Sequence, residues 1–154
     1  MPLTPEFLPG ETVSASKLQL LGTLDTSWQP TLTAIGTNPT LGTGAVRTSY
    51  IWRNGNAVEV WFNITFGSSG VNAGSGNYYL LLPVMYPPIA GFYNSIAIGE
   101  AHLYHPSTDQ HSSVALILAS STLYMTEVAT LIHAGYPWTW SANDVIQGHY
   151  RYLT

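Results

Sequence analysis

Five histidines, five tryptophans and eight carboxylates are the side chains through which this sequence could do chemistry. His102 and His105 stand three apart, with Glu100, Asp109 and His111 close by, a composition that suits a metal site. On a strand, however, positions three apart face opposite sides, so the pair converges only if a turn intervenes at Tyr104-His105-Pro106. No closed ligand motif such as HExxH is present, and the histidines read as scattered loop and core residues with no metal bound. Ser68, Ser69 and Ser75 lie among glycines in Gly67-Ser68-Ser69-Gly70 and Gly74-Ser75-Gly76, but neither segment is the GxSxG nucleophile elbow. Gly42-Thr43-Gly44 opens no helix and has no acidic partner at the expected spacing, so no nucleotide or other cofactor is expected. Glu59 and Glu100 offer carboxylates for a glycosidase pair, yet nothing in the sequence sets two of them at the required separation. Asn63-Ile64-Thr65 matches a glycosylation sequon but lies inside a strand. The chain reads as a non-enzyme.

The aromatic residues carry more information. Trp28, Trp52, Trp61, Trp138 and Trp140 accompany ten tyrosines. Trp61 lies on the face of its strand opposite the valines, and Trp138 and Trp140 share a side near the C-terminus. Exposed aromatics beside uncharged hydrogen-bonding groups suit a subunit interface or a sugar-stacking surface. Trp61, Trp138 and Trp140 are the candidates for either role, with Trp61 the one whose position least resembles a core residue.

Composition excludes several partner classes. Charged residues make up 8% of the chain, against roughly 25% in ordinary globular proteins. Lys17, Arg47, Arg53 and Arg151 are the four cations, and the net charge is −4. Nucleic acid needs clustered Lys and Arg against its phosphates, and an anionic membrane needs the same, so neither is an expected partner. With no cysteine, disulfides and thiolate sites are excluded. The N-terminal segment has no basic region leading an apolar run, so no signal peptide is expected. The longest apolar run, Val114 to Ala119, is far too short for a membrane-spanning helix. A surface this poor in charge looks built to pack against neighbours.

The elements that must position these groups are read from turns and periodicity. Asn54-Gly55 between two β-prone runs predicts a hairpin with a type I′ turn. Beyond it, Val58, Val60, Phe62, Ile64 and Phe66 alternate with Glu59, Trp61, Asn63 and Thr65, so the first set faces a core and the second faces away. Asn77 to Leu82 resumes as a strand, and Val46 to Pro83 together predicts a three-stranded meander. Met1 to Gly10 carries three prolines and reads as an extended arm; Val13 to Leu21 is the one predicted helix, followed by Gly22. Further strands are expected near Thr31 to Ile35, Ser95 to Tyr104, Val114 to Ala119, Thr122 to Ile132 and Val145 to Leu153, with a polar loop over His105 to Ser113. The last strand puts Ile146, Tyr150 and Tyr152 on one face. The whole predicts an all-β chain: a β-sandwich or jelly-roll-like knob over residues 23–154, preceded by an arm and short helix over residues 1–22.

Three segments resemble a pattern found in structural proteins of tailed bacteriophages, especially those of actinobacterial hosts. Phe7-Leu8-Pro9-Gly10-Glu11-Thr12-Val13-Ser14-Ala15-Ser16-Lys17-Leu18 is similar to the opening F-x-x-G-E-x-(L/V)-(T/S)-A-x-x-L-N of phage fibre and appendage proteins, with Gln19 where Asn is usual. Trp28 to Leu32, Pro39 to Gly44, Tyr50 to Arg53 and Phe66 to Pro83 resemble their β-rich knobs, and Pro137 to Trp140 with Asn143 to Tyr152 resembles their closing strand. The resemblance implies a virion surface protein, made in the host cytoplasm and assembled as a homotrimer. The chain shows no long shaft, which favours a capsid decoration or minor capsid protein bound to the major capsid protein. The alternative is the receptor-binding tip of a tail fibre or baseplate appendage, held by a tail or baseplate protein and recognising a host cell-wall glycan. In either case the arm is the attachment element, with Leu3, Phe7, Leu8, Val13, Leu18 and Leu21 as its apolar anchors.

An arm this short and proline-rich gains order only on a partner surface. Deleting Met1 to Gly10 is therefore expected to leave the knob folded and to abolish incorporation into particles. Bound copies on particles lacking the protein measure this, and normal occupancy by the truncated chain would place the attachment surface on the knob.

Overall fold

Alternation along the strands dictates the architecture. The computed structural model describes residues 23–154, in which β1 (Thr23–Asp25), β2 (Thr31–Ala34), β3 (Val46–Asn54), β4 (Ala57–Thr65) and β5 (Tyr78–Leu81) are followed by β6 (Ile96–His105), β7 (Gln110–Ala119), β8 (Thr122–Glu127), β9 (Thr130–Leu131) and β10 (Val145–Leu153). No described residue is helical. The strands form one antiparallel sheet in the order β1-β3-β4-β10-β6-β7-β8-β5-β2, with β9 paired to β8. On β4 the set Val58, Val60, Phe62 and Ile64 is buried, while Trp61 is exposed. β10 repeats the pattern with Ile146, Tyr150 and Tyr152 inside.

A sheet with one apolar face must cover that face, and here it does so by curling on itself. A flat path of nine strands would hold its edges about 38 Å apart, at ~4.8 Å per strand. Yet β1 ends at Asp25 and β2, on the opposite edge, begins at Thr31, and so short a link spans at most about 20 Å. The two edges are thereby drawn towards each other, giving a half-barrel. Trp28 sits in this link, packs against the core, and its carbonyl accepts the Ser49 hydroxyl of β3. One hydrophobic cluster results, with Leu32, Ile51, Val60, Leu103, Leu116, Met125, Leu80 and Tyr150 contributed by strands all round the curl.

Several expectations change. The described strands follow a single hydrogen-bonded path, so the half-barrel stands in place of the two sheets of a sandwich or jelly roll. The meander is also revised: β3 and β4 form the hairpin, but β5 pairs with β2 and β8, and β10 is the other neighbour of β4. The segment after β4 is diverted because it bridges the preceding loop, at Thr43↔Ser69 and Thr40↔Asn72, and leaves the sheet. Within the hairpin, Asn54 pairs with Ala57, so Gly55 and Asn56 are the turn residues. Gly55 alone takes a positive φ, +59°, which matches a type II′ turn and not type I′. The polar stretch after His105 is strand from Gln110 onward, leaving a tight turn over residues 106–109. The arm and the helix predicted over Val13 to Leu21 lie outside the described residues.

The core is rich in phenols. Burial raises the Tyr78 phenol, with the Asp144 carboxylate adding to the effect. Burial likewise raises Tyr150 and Tyr152, each with help from neighbouring phenols. A raised folded-state pKa means the native form holds protons that the unfolded chain releases near pH ~10. The stability these groups contribute is therefore intact below pH ~10 and is lost as the pH rises above it. In an alkaline absorbance titration, Tyr78, Tyr150 and Tyr152 are expected to ionise only with cooperative loss of the β-sheet signal. Smooth ionisation of every tyrosine near pH ~10 with the fold intact would contradict this.

Candidate functional site

The outer face of the sheet gathers the chemistry that the inner face excludes. Antiparallel register places Tyr50 of β3, Trp61 of β4, His149 of β10 and Glu100 of β6 in one row across the strands. Thr48, Asn63, Gln147, His102 and Ser113 form the next row. The rows are two residues apart along each strand, about 7 Å. Between them run Phe62, Gly148 and Ala101, whose neighbours on either side point outward. The rows and this floor line a groove of about 460 Å³.

Its aromatic wall is open and held in place. Trp61 is 40% exposed and Tyr50 53%, so both rings are accessible in the described structure. The His149 ring lies against Trp61 with centroids 4.8 Å apart, and His149 Nε2 is 2.9 Å from Glu59 Oε1. A carboxylate only accepts, so His149 Nε2 carries the hydrogen and the imidazole is fixed beside the indole. At the other end, His102 Nε2 is 2.9 Å from His111 Nδ1, and Tyr104 stacks on His111 at 4.5 Å. Glu100 is exposed in the groove and has no hydrogen-bond or ionic partner among the described residues. Asn63 and Gln147 add amide donors and acceptors. Among the described residues, no lysine or arginine lines the groove.

The sequence-predicted residues divide sharply. Trp61 stands at the groove, but Trp140 is only 3% exposed, stacks on Phe66 at 5.4 Å and donates its Nε1–H to the His133 carbonyl. Trp138 packs against the core cluster beside Trp140. Trp140 is therefore occupied inside the chain, while Trp138 is half-buried beside it, and neither lines the groove with Trp61. His102 and His105 diverge, His102 outward and His105 inward onto buried Asp144 at 2.6 Å. Among the described residues, no three His, Asp or Glu side chains are placed to hold a metal ion. Glu59 and Glu100 belong to neighbouring rows on strands separated by β10, with His149 bonded to the first and paired in register with the second. The anchors Leu3, Phe7, Leu8, Val13, Leu18 and Leu21 lie outside the described residues.

Sequence reasoning missed Tyr50, Gln147, His149 and His102 as partners of Trp61. The outward alternation on β4 and on Val145 to Leu153 marked half of them; the pairing of β4 with β10, which joins the two halves, has no local signal.

No family model and no curated protein matches this chain. Among solved structures it is similar to the crystal structure of the Dettilon tailspike protein, with a TM-score of 0.48 and 15% identity, over 86% of this chain and 24% of that one. The chain thus spans about a quarter of the tailspike chain's length.

Gly148 is the residue that lets the floor close. A Cβ there would lie 2.7 Å from the Glu100 carbonyl, 2.8 Å from Ala101 Cβ and 2.9 Å from the Phe62 ring. Gly148→Ala must push β6 from β10 or tilt Phe62, and overpacking of this kind costs about 1–3 kcal/mol. Urea denaturation of the variant is expected to show that loss, and unchanged stability would contradict the close packing under the groove.

Proposed function

We propose that this chain is a glycan-binding β-module of a phage virion protein, acting as a receptor-binding tip. The observation that carries the reading is the exposed Trp61–Tyr50 wall facing uncharged hydrogen-bonding side chains across a groove. Sugar rings present an apolar face of C–H bonds and an equatorial belt of hydroxyls. An indole held in advance takes the first, and amides, hydroxyls and carboxylates take the second. The groove lies across the face of the sheet, where β4, β10 and β6 are each paired on both sides, so a ligand in it meets side chains and not a backbone edge. Glu100, with no lysine or arginine beside it among the described lining residues, disfavours phosphorylated or acidic saccharides and favours neutral or amino sugars. The virion setting rests on the sequence resemblance. A capsid-decoration role depends on residues 1–22, outside the described residues.

A homotrimer is the second reading of the same face, favoured by Trp52, Tyr50 and Trp61 being exposed together on neighbouring strands. Glycan binding requires the groove to stay open, whereas a trimer built on Trp61 would cover it.

Trp61→Ala removes the stacking surface without touching the core. On a bacterial glycan microarray the wild-type chain is expected to bind a defined subset of neutral or amino-sugar structures. The variant, folded by circular dichroism, is expected to bind them at least about tenfold more weakly, the equivalent of 1.4 kcal/mol. Equal binding by both proteins, or monomers formed by the variant from wild-type trimers, would transfer this face to the subunit-interface reading.

A further inference from the structure

Away from the groove, at the end of the sheet, one buried carboxylate organises a second cluster. Asp144 is fully buried; its Oδ2 accepts the Ser141 backbone N–H at 2.7 Å, and its Oδ1 lies 2.6 Å from His105 Nδ1. The carboxylate can only accept, so His105 carries its hydrogen on Nδ1. In its neutral form the imidazole then presents Nε2 as an acceptor, and Ser107 Oγ lies 2.7 Å from it. Trp138 stacks on the His105 ring at 5.3 Å and helps fix its plane. Ser107 itself is exposed in the turn between β6 and β7. Its backbone N–H makes no hydrogen bond among the described residues.

A hydroxyl, a base within hydrogen-bond reach and a buried group orienting that base are the parts of an activated nucleophile. We propose that Ser107, His105 and Asp144 form an ester-hydrolysing site for short O-acyl groups. This proposal does not rest on the glycan reading. Ser107 Oγ attacks the acyl carbon while His105 Nε2 takes its proton, and the Ser107 N–H, unbonded among the described residues, is available to the oxyanion that forms. The C–O ester bond then breaks, and the alcohol leaves with the proton from His105. Water, deprotonated by His105, attacks the acyl-serine, releasing the carboxylic acid and restoring Ser107. Ester and water give acid and alcohol, with no other reactant. An exposed turn serine can reach an acetyl or similarly short acyl ester that protrudes from a larger molecule.

The probe is p-nitrophenyl acetate, with the full chain. The wild-type protein is expected to hydrolyse it at least tenfold faster than Ser107→Ala of unchanged melting temperature, and to carry a transient acetyl group on the Ser107 peptide by mass spectrometry. His105→Gln should reduce the rate as far as Ser107→Ala does. If His105→Gln does not fold, Ser107→Cys decides: its thiol should alkylate at least tenfold faster at neutral pH than that of Ser121→Cys, in an exposed turn without a histidine partner. Equal ester hydrolysis by wild type and Ser107→Ala overturns the proposal, as does a rate retained in folded His105→Gln or equal alkylation of the two cysteine variants. Ser107→Ala leaves the groove intact, so loss of glycan binding and loss of ester hydrolysis are separable.

Discussion

The register of β10 on β4 is the constraint on which the rest depends. Nine positions pair without interruption, from Val145↔Thr65 to Leu153↔Ala57. Because side chains alternate with a period of two, a slip by one residue would send Tyr150, Tyr152 and Ile146 to solvent and Gln147, His149 and Arg151 into the core. The cost of that exchange pins the register. Fixing it also fixes what meets on the outer face, since Trp61 must then stand beside His149, and Asn63 beside Gln147. Core and groove are two consequences of one pairing.

The link between β1 and β2 supplies the second condition. Without it a sheet this wide could stay open and would need a separate layer to cover its apolar face. With it, the inward faces of β2 and β5 turn towards those of β3 and β4, and the sheet covers itself. Glycines sit where strands approach too closely for a side chain. Gly99, at the irregular register between β6 and β7, would drive a Cβ into the His149 carbonyl. Gly148 would drive one into the Glu100 carbonyl from the opposite strand.

How much of this was legible follows from the range of each signal. The alternation on Ala57 to Phe66, the last strand over Val145 to Leu153 and the all-β class are local properties of sequence, and they match the structure. Strand partners are not local. Val46 to Pro83 read as a meander because consecutive strands usually pair, and only the bridges of Thr40 and Thr43 to the loop after β4 divert β5 elsewhere. Trp61 was recognisable as outward from its own strand. Trp140 was not recognisable as buried, nor Trp138 as half-buried beside it, because the irregular segment carrying them has no period to read. The Ser107–His105–Asp144 cluster was hidden for the same reason: Asp144 lies 39 residues from His105 along the chain. The sequence placed His105 in a scattered set, and only the fold brings the carboxylate to it.

The central claim is that the outer face of β3, β4, β10 and β6 receives a saccharide. Titrating isotopically labelled protein with an oligosaccharide selected on the array, and following backbone and indole resonances, tests this most directly. Shifts are expected only at Tyr50, Trp61, Asn63, Gln147, His149, Glu100 and their immediate neighbours, with the Trp61 indole among the largest. Shifts centred on the turn of residues 106–109, on the loop of residues 84–95, or spread over the core without the Trp61 indole would contradict it.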